Sequence, residues 1–373
     1  MSKILVTGGA GFIGSHLVDR LVQEGHAVCV LDSLEPQVHG SSGKVPDYLN
    51  QNAQFIKGDI RSLDDVRKAL QGIEIVFHEA AMVGVGQSMY QIRKYVDVNT
   101  LGTANLLEVI LEQRYEIQKL IVASSMSIYG EGSYRCEACG IVYPSLRTKE
   151  QMQRKDWEHH CPQCEKVIKP YTTAEDKPLD ATSIYAITKK DQEEMCLTLG
   201  KSYGLPTVAL RYFNVYGPRQ ALSNPYTGVC AIFSSRIKNN NQPIIFEDGH
   251  QSRDFINVHD IVEANLLAMT SDAMNYQTFN VGSGQPITIL EVCNELCRLY
   301  GKKDLKPEIQ NKFRVGDIRH CLADISKIAH VGFSPKISFQ EGMEELVEWG
   351  KTVEAEDLVE QARKELAEKG LVQ

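Results

Sequence analysis

The sequence predicts an α/β protein built on a doubly wound, parallel β-sheet. Three observations carry that expectation. Short runs that are apolar throughout, such as Ile4-Leu5-Val6 and Ala27–Leu31, recur along the first 212 residues. Segments with the apolar spacing of helices separate these runs. A glycine-rich turn joins the first run to the first helical segment. Strands without in-out alternation are buried on both faces, as helices on either side of a parallel sheet require.

The elements follow in order. Ile4–Thr7 reads as a strand that ends in Gly8-Gly9-Ala10-Gly11. Phe12, Ile13, Leu17, Val18, Leu21 and Val22 then recur at helical spacing until Gly25 stops the helix. Ala27–Leu31 is the second strand, with Asp32 at its end. Further strands are expected at Gln54–Ile56, Ile73–His78, Lys119–Ala123 and Thr207–Arg211, with helices near 62–70, 87–113 and 182–200 between them. After about residue 212 the pattern loosens. Helices near 228–238, 259–270 and 287–300 alternate with Gly-, Pro- and Asn-rich connections, and 338–369 is charged and helical. The expected division is residues 1–212, interrupted by an insertion at 131–170, and an interleaved smaller α/β lobe at 213–373.

Composition narrows the function classes. The 373 residues are 43% hydrophobic and 24% charged, which fits a folded globular chain. The 48 acidic residues outnumber the 40 Lys and Arg, for a net charge of −8, so no broad nucleic-acid surface is expected. No apolar run approaches the roughly 18 residues of a membrane span. Met1-Ser2-Lys3 leads directly into the first strand and offers no secretion signal. A cytoplasmic protein with reduced thiols is expected, so the ten cysteines read as core residues or metal ligands.

Gly9-Ala-Gly11-Phe-Ile-Gly14 has the spacing of a dinucleotide fingerprint, and Gly8 precedes it. Glycines there tighten the turn and let backbone N–H groups approach a pyrophosphate at the helix N-terminus. Gly8, Gly11, Phe12, Ile13 and Gly14 are therefore candidate cofactor contacts, and the first unit is expected to be of Rossmann type. Asp32 stands where a carboxylate accepts both ribose hydroxyls and repels a 2′-phosphate, which favours NAD over NADP. Asp59 and Ile60 follow the third strand and could flank the adenine; a plain turn aspartate reads nearly as well.

Tyr185 and Lys189 are four residues apart on an expected helix, which places both on one face. An ammonium beside a phenol favours the phenolate and makes Tyr185 a candidate base for a hydroxyl proton. Ser124-Ser125-Met126-Ser127 ends the preceding strand, on the side of the sheet where ligands bind. A dinucleotide, a serine hydroxyl and a tyrosine base together suit hydride transfer.

With these residues in view the chain resembles the extended short-chain dehydrogenase/reductases, and within them the NAD-dependent nucleotide-sugar epimerases and dehydratases. Thr7–Gly14, Asp32, Asp59-Ile60, His78-Glu-Ala-Ala81, Asn99–Thr103 and Ser124–Gly130 carry the likeness. So do Tyr185-x-x-x-Lys189, Arg211–Pro218, Arg253-Asp-Phe and Arg314-Val-Gly-Asp317. The resemblance implies Tyr185 as catalytic acid and base, assisted by Lys189, with Ser125 on the reacting oxygen and Ser127 lining the sugar pocket. It implies Ala80 and Asn99 at the cofactor. It implies Asn214, Arg253, Arg314 and Asp317 at a nucleotide-diphosphate sugar. Guanidinium forks suit anionic oxygens, although an interdomain ion pair is the plainer reading of a lone arginine. The implied reaction inverts a sugar carbon, C4 first, through a transient 4-keto sugar with no net redox. Met126 and Ser127 stand where the dehydratase branch carries an Asp–Glu pair, which disfavours water loss. A 4-keto-sugar reductase and a non-catalytic NAD-binding regulator stay open as alternatives. Residues 211–228 together with the cysteine insertion are similar to the dTDP-L-rhamnose 4-epimerase branch. The family also implies a homodimer that pairs the helices near 87–113 and 182–200.

The likeness lapses at about 131–168. There Cys136-Glu-Ala-Cys139 and Cys161-Pro-Gln-Cys164 form two C-x-x-C knuckles separated by 21 residues, a spacing that suits a closed, structural zinc site. His159 and His160 are competing ligands, but four thiolates already fill the shell. Residues 133–168 carry six Lys or Arg and five Asp or Glu, so no basic field accompanies the knuckles. The segment shows little strand or helix periodicity and is expected to be a metal-folded loop beside the substrate entrance. The other six cysteines (29, 196, 230, 293, 297 and 321) read as core thiols.

Overall fold

The computed structural model describes residues 1–112, 116–314 and 316–372. Its centre is a parallel sheet of seven strands. We number them β1 (Lys3–Thr7), β2 (Ala27–Asp32), β3 (Gln54–Lys57), β4 (Ile75–His78), β5 (Lys119–Ser125), β6 (Thr207–Tyr212) and β7 (Gln277–Val281). Their spatial order is β7-β6-β5-β4-β1-β2-β3, all parallel. The apolar runs have the expected cause. In β1, Ile4 and Val6 enter one core with helices 12–23 and 258–270, while Leu5 enters the opposite core with helices 63–69, 102–112 and 184–203. The order of the strands reverses at β1 and β4, and ligands bind beyond the strand ends at such a point.

Two elements differ from the sequence expectation. β7 was not foreseen. It pairs with β6, Phe279 opposite Leu210, so the chain returns to the main sheet long after residue 212. Buried Asn280 breaks its apolar pattern, and the side chain is fully used: Tyr129 donates to Asn280 at 2.7 Å, and Asn280 donates to the carbonyls of Thr173 and Asp324. The expected single helix at 87–113 is instead two short turns (85–88 and 92–95), a π-helical turn (96–101) and the helix 102–112. The wider turn places buried Asn99 so that it accepts from Met82 N at 2.7 Å and donates to Met82 O and Thr188. Gly102 then packs on Ile60, where a Cβ would clash.

The smaller lobe carries a mixed sheet in the order 214–216, 252–257, 320–323, 169–173, 133–136, 140–142, with 286–288 paired to 252–257. Helices 229–238, 289–299 and 339–352 cover it through Phe233, Val292, Leu296, Met343 and Leu346. The insertion is therefore not an irregular loop. Its hairpin, 133–136 with 140–142, extends this sheet through strand 169–173, which runs parallel to 320–323. These strands have three to five residues, too few to show a period in sequence. Among the described residues no helix is long and apolar enough to cross a membrane.

Candidate active site

The glycine turn lies at the end of β1. Gly8 takes a positive φ of 71°, donates to Leu31 O and presses against the backbone of Ala80. A Cβ on Gly14 would collide with the carbonyl oxygen of Gly8, so the helix can start this close to the strand only with glycine there. Helix 12–23 begins at Gly11 with no side-chain cap and no acidic residue in its first turn. Its N-terminal amides are thus left for an anion from outside. Asp32 is buried at the end of β2, where its carboxylate accepts from Ala10 N at 3.0 Å and Leu34 N at 2.9 Å. This glycine cradle, open helix end and fixed carboxylate fit an NAD. Three expected contacts also have partners within the protein. Asp59 is held by Arg61 at 2.6 and 2.9 Å, Ile60 is buried against Gly102, and Asn99 is saturated by Met82 and Thr188. Ala80 N reaches Thr7 Oγ1 at 3.3 Å.

A cavity of about 490 Å³ opens from this turn into the cleft between the main sheet and the smaller lobe. Phe12, Ile13, Ser125, Ser127, Tyr185 and Lys189 line one side. Ser125 ends β5, and its Oγ accepts from Ser127 N and Ser127 Oγ at 3.2 and 2.9 Å. Ser183 caps helix 184–203, so Tyr185 and Lys189 stand in its first two turns. Burial pushes the pKa of the Tyr185 hydroxyl up, and the Ser125 side chain works against that rise. Among the described residues Lys189 makes no hydrogen bond to that phenol. Its ammonium donates to Ala123 O at 2.5 Å and Gln192 Oε1 at 2.8 Å. Burial lowers Lys189 to about 8 against the opposing pull of Glu79.

Asn214, Arg253, Arg314 and Asp317 line the other side. Asn214 Oδ1 and Arg314 Nε are buried without a partner among the described residues. The Arg314 guanidinium lies 4.2 Å above the ring of Phe246. Arg253 donates to three carbonyls, Ser252 and Arg319 from Nη1 and Ile318 from Nη2, at 2.7–2.9 Å. Arg236, Arg363 and Glu79 also face the cavity, although sequence reasoning gave them no role. Five cations and two carboxylates thus line it, in a chain whose net charge is −8. The wall is completed by helix 359–368 through Val359, Ala362 and Leu366, which no sequence motif marked.

The four knuckle cysteines converge. Their sulfurs all lie within 4.8 Å of one another, with Cys136 and Cys164 3.6 Å apart. A tetrahedron with metal–sulfur arms of about 2.3 Å has edges of about 3.8 Å, so this cluster is sized for a divalent ion. Backbone N–H groups of Ala138 and Cys139 bring Cys136 down to about 7. Both histidines are engaged elsewhere, His159 3.0 Å from Glu131 and His160 2.9 Å from Asp156. The remaining six cysteines are buried.

Comparison with known proteins agrees with this geometry. The sequence model of the NAD dependent epimerase/dehydratase family matches residues 4–147 and 161–282. A dTDP-L-rhamnose 4-epimerase of Burkholderia thailandensis is 33% identical over 350 residues, covering 93% of this chain and 94% of that protein. The crystal structure of UDP-glucose 4-epimerase with UDP-glucose from Thermotoga maritima superposes with a TM-score of 0.74 at 33% identity, covering 94% of this chain and 98% of that one. UDP-glucuronic acid 4-epimerase from Bacillus cereus, in complex with UDP-glucuronic acid and NAD, gives 0.76 at 28% identity, covering 94% and 99%.

Proposed function

Because the chain belongs to the NAD-dependent epimerase/dehydratase family, we propose that it is an enzyme that uses NAD to invert C4 of a nucleotide-diphosphate sugar. The observation that carries this reading is one cavity with Ser125, Tyr185 and Lys189 on one side and Asn214, Arg253 and Arg314 on the other. Bound NAD would supply a reversible hydride acceptor for the sugar carbon, so no net redox would occur. Gly8, Gly11, Gly14 and the amides of Phe12 and Ile13 would hold its pyrophosphate, and Asp32 its ribose. Asn99 and Ala80 act at one remove, by fixing the segment after β4.

Tyr185 accepts the proton of the C4 hydroxyl and later returns it. Ser125 donates a hydrogen bond to the same oxygen, which grows more negative as the proton leaves. Burial works against a phenolate, and the Lys189 ammonium, held by Ala123 O and Gln192 in the same cavity wall, opposes that cost from a distance without a direct bond to the phenol. The diphosphate is gripped by Arg253 and Arg314, and Asn214 offers it an amide N–H. Ser127 and Asp317 complete the pocket. With its anion held, the 4-keto sugar turns over between the loss and the return of that proton without leaving.

The likeness to dTDP-L-rhamnose 4-epimerase supports a dTDP-6-deoxyhexose as the substrate. The sulfur cluster supports a structural zinc. Ile92, Val96, Leu101 and Ile187, exposed apolar residues in and beside the segments expected to pair, support a homodimer. Ten free cysteines support a reducing, cytoplasmic setting.

The test incubates the purified protein with dTDP-, UDP-, GDP- and CDP-sugars and reads C4 configuration by NMR. Inversion with an unchanged nicotinamide balance is expected, and Tyr185→Phe should slow it by about 10²–10⁴-fold. Stoichiometric consumption of NADH or NADPH would make the protein a keto-sugar reductase instead.

A further inference from the structure

Arg253 has an unusual set of neighbours for an arginine at a cleft. Its forks are held by three neutral carbonyls, and among the described residues no carboxylate pairs with it. Carbonyls orient a guanidinium without cancelling its charge, which stays free for an anion. Two of those carbonyls belong to Ile318 and Arg319, so the aim of Arg253 is set by the backbone at 318–319.

That backbone is gripped from the side of the cysteine insertion. Arg319 is wholly buried, and Glu158 Oε1 takes its Nη2 at 2.6 Å and its Nε at 3.1 Å. Glu247 and Asp248 take its Nη1 at 2.9 and 2.7 Å. The other Glu158 oxygen lies 3.3 Å from His320 Nε2. His320 is bonded in turn to Ser252, whose carbonyl is the third holder of Arg253. Glu131 accepts from the amides of Arg319 and His320 at 2.8 Å. Arg147 pairs with Glu247 and donates to Asp317 O. Of these, Glu158 lies between the two cysteine knuckles and outside the residues matched by the family model.

We propose that Glu158 is a positioning residue for the substrate diphosphate: by fixing Arg319 it sets the carbonyls that aim Arg253. The insertion thereby takes part in substrate affinity as well as in folding. This rests on the reading of Arg253 as the diphosphate anchor, and the experiment separates the two.

The NAD-loaded full chain is titrated calorimetrically with UDP and dTDP, and kinetics are measured with the accepted sugar nucleotide. Three variants are compared: Arg253→Lys, Glu158→Gln and the double variant. Arg253→Lys should weaken nucleotide binding at least about tenfold, through loss of the bidentate fork. Glu158→Gln should raise Kd and KM by about three- to tenfold, with kcat within about twofold and bound NAD unchanged. In the double variant the losses should not multiply, because both act on one guanidinium. If Glu158→Gln does not fold, Glu158→Asp keeps the charge, shortens the reach by one methylene and should raise KM by about two- to fourfold. Loss in Arg253→Lys with normal affinity in the Glu158 variant overturns this proposal alone, as do fully multiplicative losses. Normal affinity in Arg253→Lys overturns the anchor reading and the proposal with it.

Discussion

Glu79 accepts a hydrogen bond from the Tyr212 hydroxyl at 2.8 Å, in the wall of the same cavity that Lys189 enters. Asn265 donates to that hydroxyl from the far side, so the carboxyl is held in place. Burial raises Glu79 to about 7 and lowers Lys189 to about 8, and each charge favours the other. Glu79→Gln keeps an acceptor for Tyr212 and removes the negative charge. Lys189 should then lose its proton at lower pH. The alkaline limb of kcat/KM should move down by about one unit. A pH–rate profile checks this; a limb that stays in place would show that Glu79 does not act on Lys189.

Asp32 should decide the choice of nicotinamide cofactor. Its carboxylate already ties Ala10 and Leu34 together, so the substitution also loosens the turn. Asp32→Ser should weaken NAD binding by about tenfold and narrow the preference against NADP, as a lost charge-assisted hydrogen bond and a lost repulsion predict. Fluorescence titration with both dinucleotides gives the ratio. An unchanged ratio would place the ribose elsewhere.

The cysteine cluster should hold one zinc per chain. The first knuckle ends strand 133–136, which pairs with 169–173, which pairs with 320–323. Loss of the metal therefore reaches the smaller lobe. Cys136→Ser with Cys161→Ser should cost at least about 3 kcal/mol, since metal binding here is coupled to folding. Metal analysis with a thermal melt checks it. Metal-free protein with an undiminished Tm would refute the site.

Two buried histidines should cost the fold stability in mild acid. His78 is wholly buried between Thr7, Thr103 and Gln192, and its pKa falls to about 3. Burial lowers His16 to about 4. Both are neutral in the folded chain, whereas the unfolded chain takes up these protons below about pH 6.5. Their contribution is whole above pH 7 and is lost as pH falls through 6.5 toward the folded values. Together they should remove up to about 4 kcal/mol between pH 7 and 5, offset in part by Glu79, which takes up its proton first in the folded chain. Urea unfolding at the two pH values reads the net change, and His78→Gln should make it about 2 kcal/mol less destabilising.

Much of this site was legible because backbone geometry dictates residue type. Only glycine serves at Gly8 and Gly14, and only apolar residues serve along Ile4–Val6. Tyr185 and Lys189 announced themselves by helical spacing. What stayed hidden depends on partners far along the chain. Asn280 disguised β7 because its partners lie at 129, 173 and 324. The π-helical turn around Asn99 is a change of backbone width and has no compositional mark. Asp59 matched a motif, but the ion pair it makes with Arg61, two residues on, has no mark in the sequence. The web around Arg319 joins residues more than 70 positions apart, and only folding brings them together.

The late arrival of β7 bears on how the protein is made. When Tyr212 has emerged from a ribosome, β6 is complete but one edge is bare, and every residue of that strand is destined for burial. The strand that covers it lies 65 residues further on. At about 5–20 residues per second, several seconds pass with that edge exposed. A fragment cut near residue 212 would never cover it, and should recruit other chains to do so.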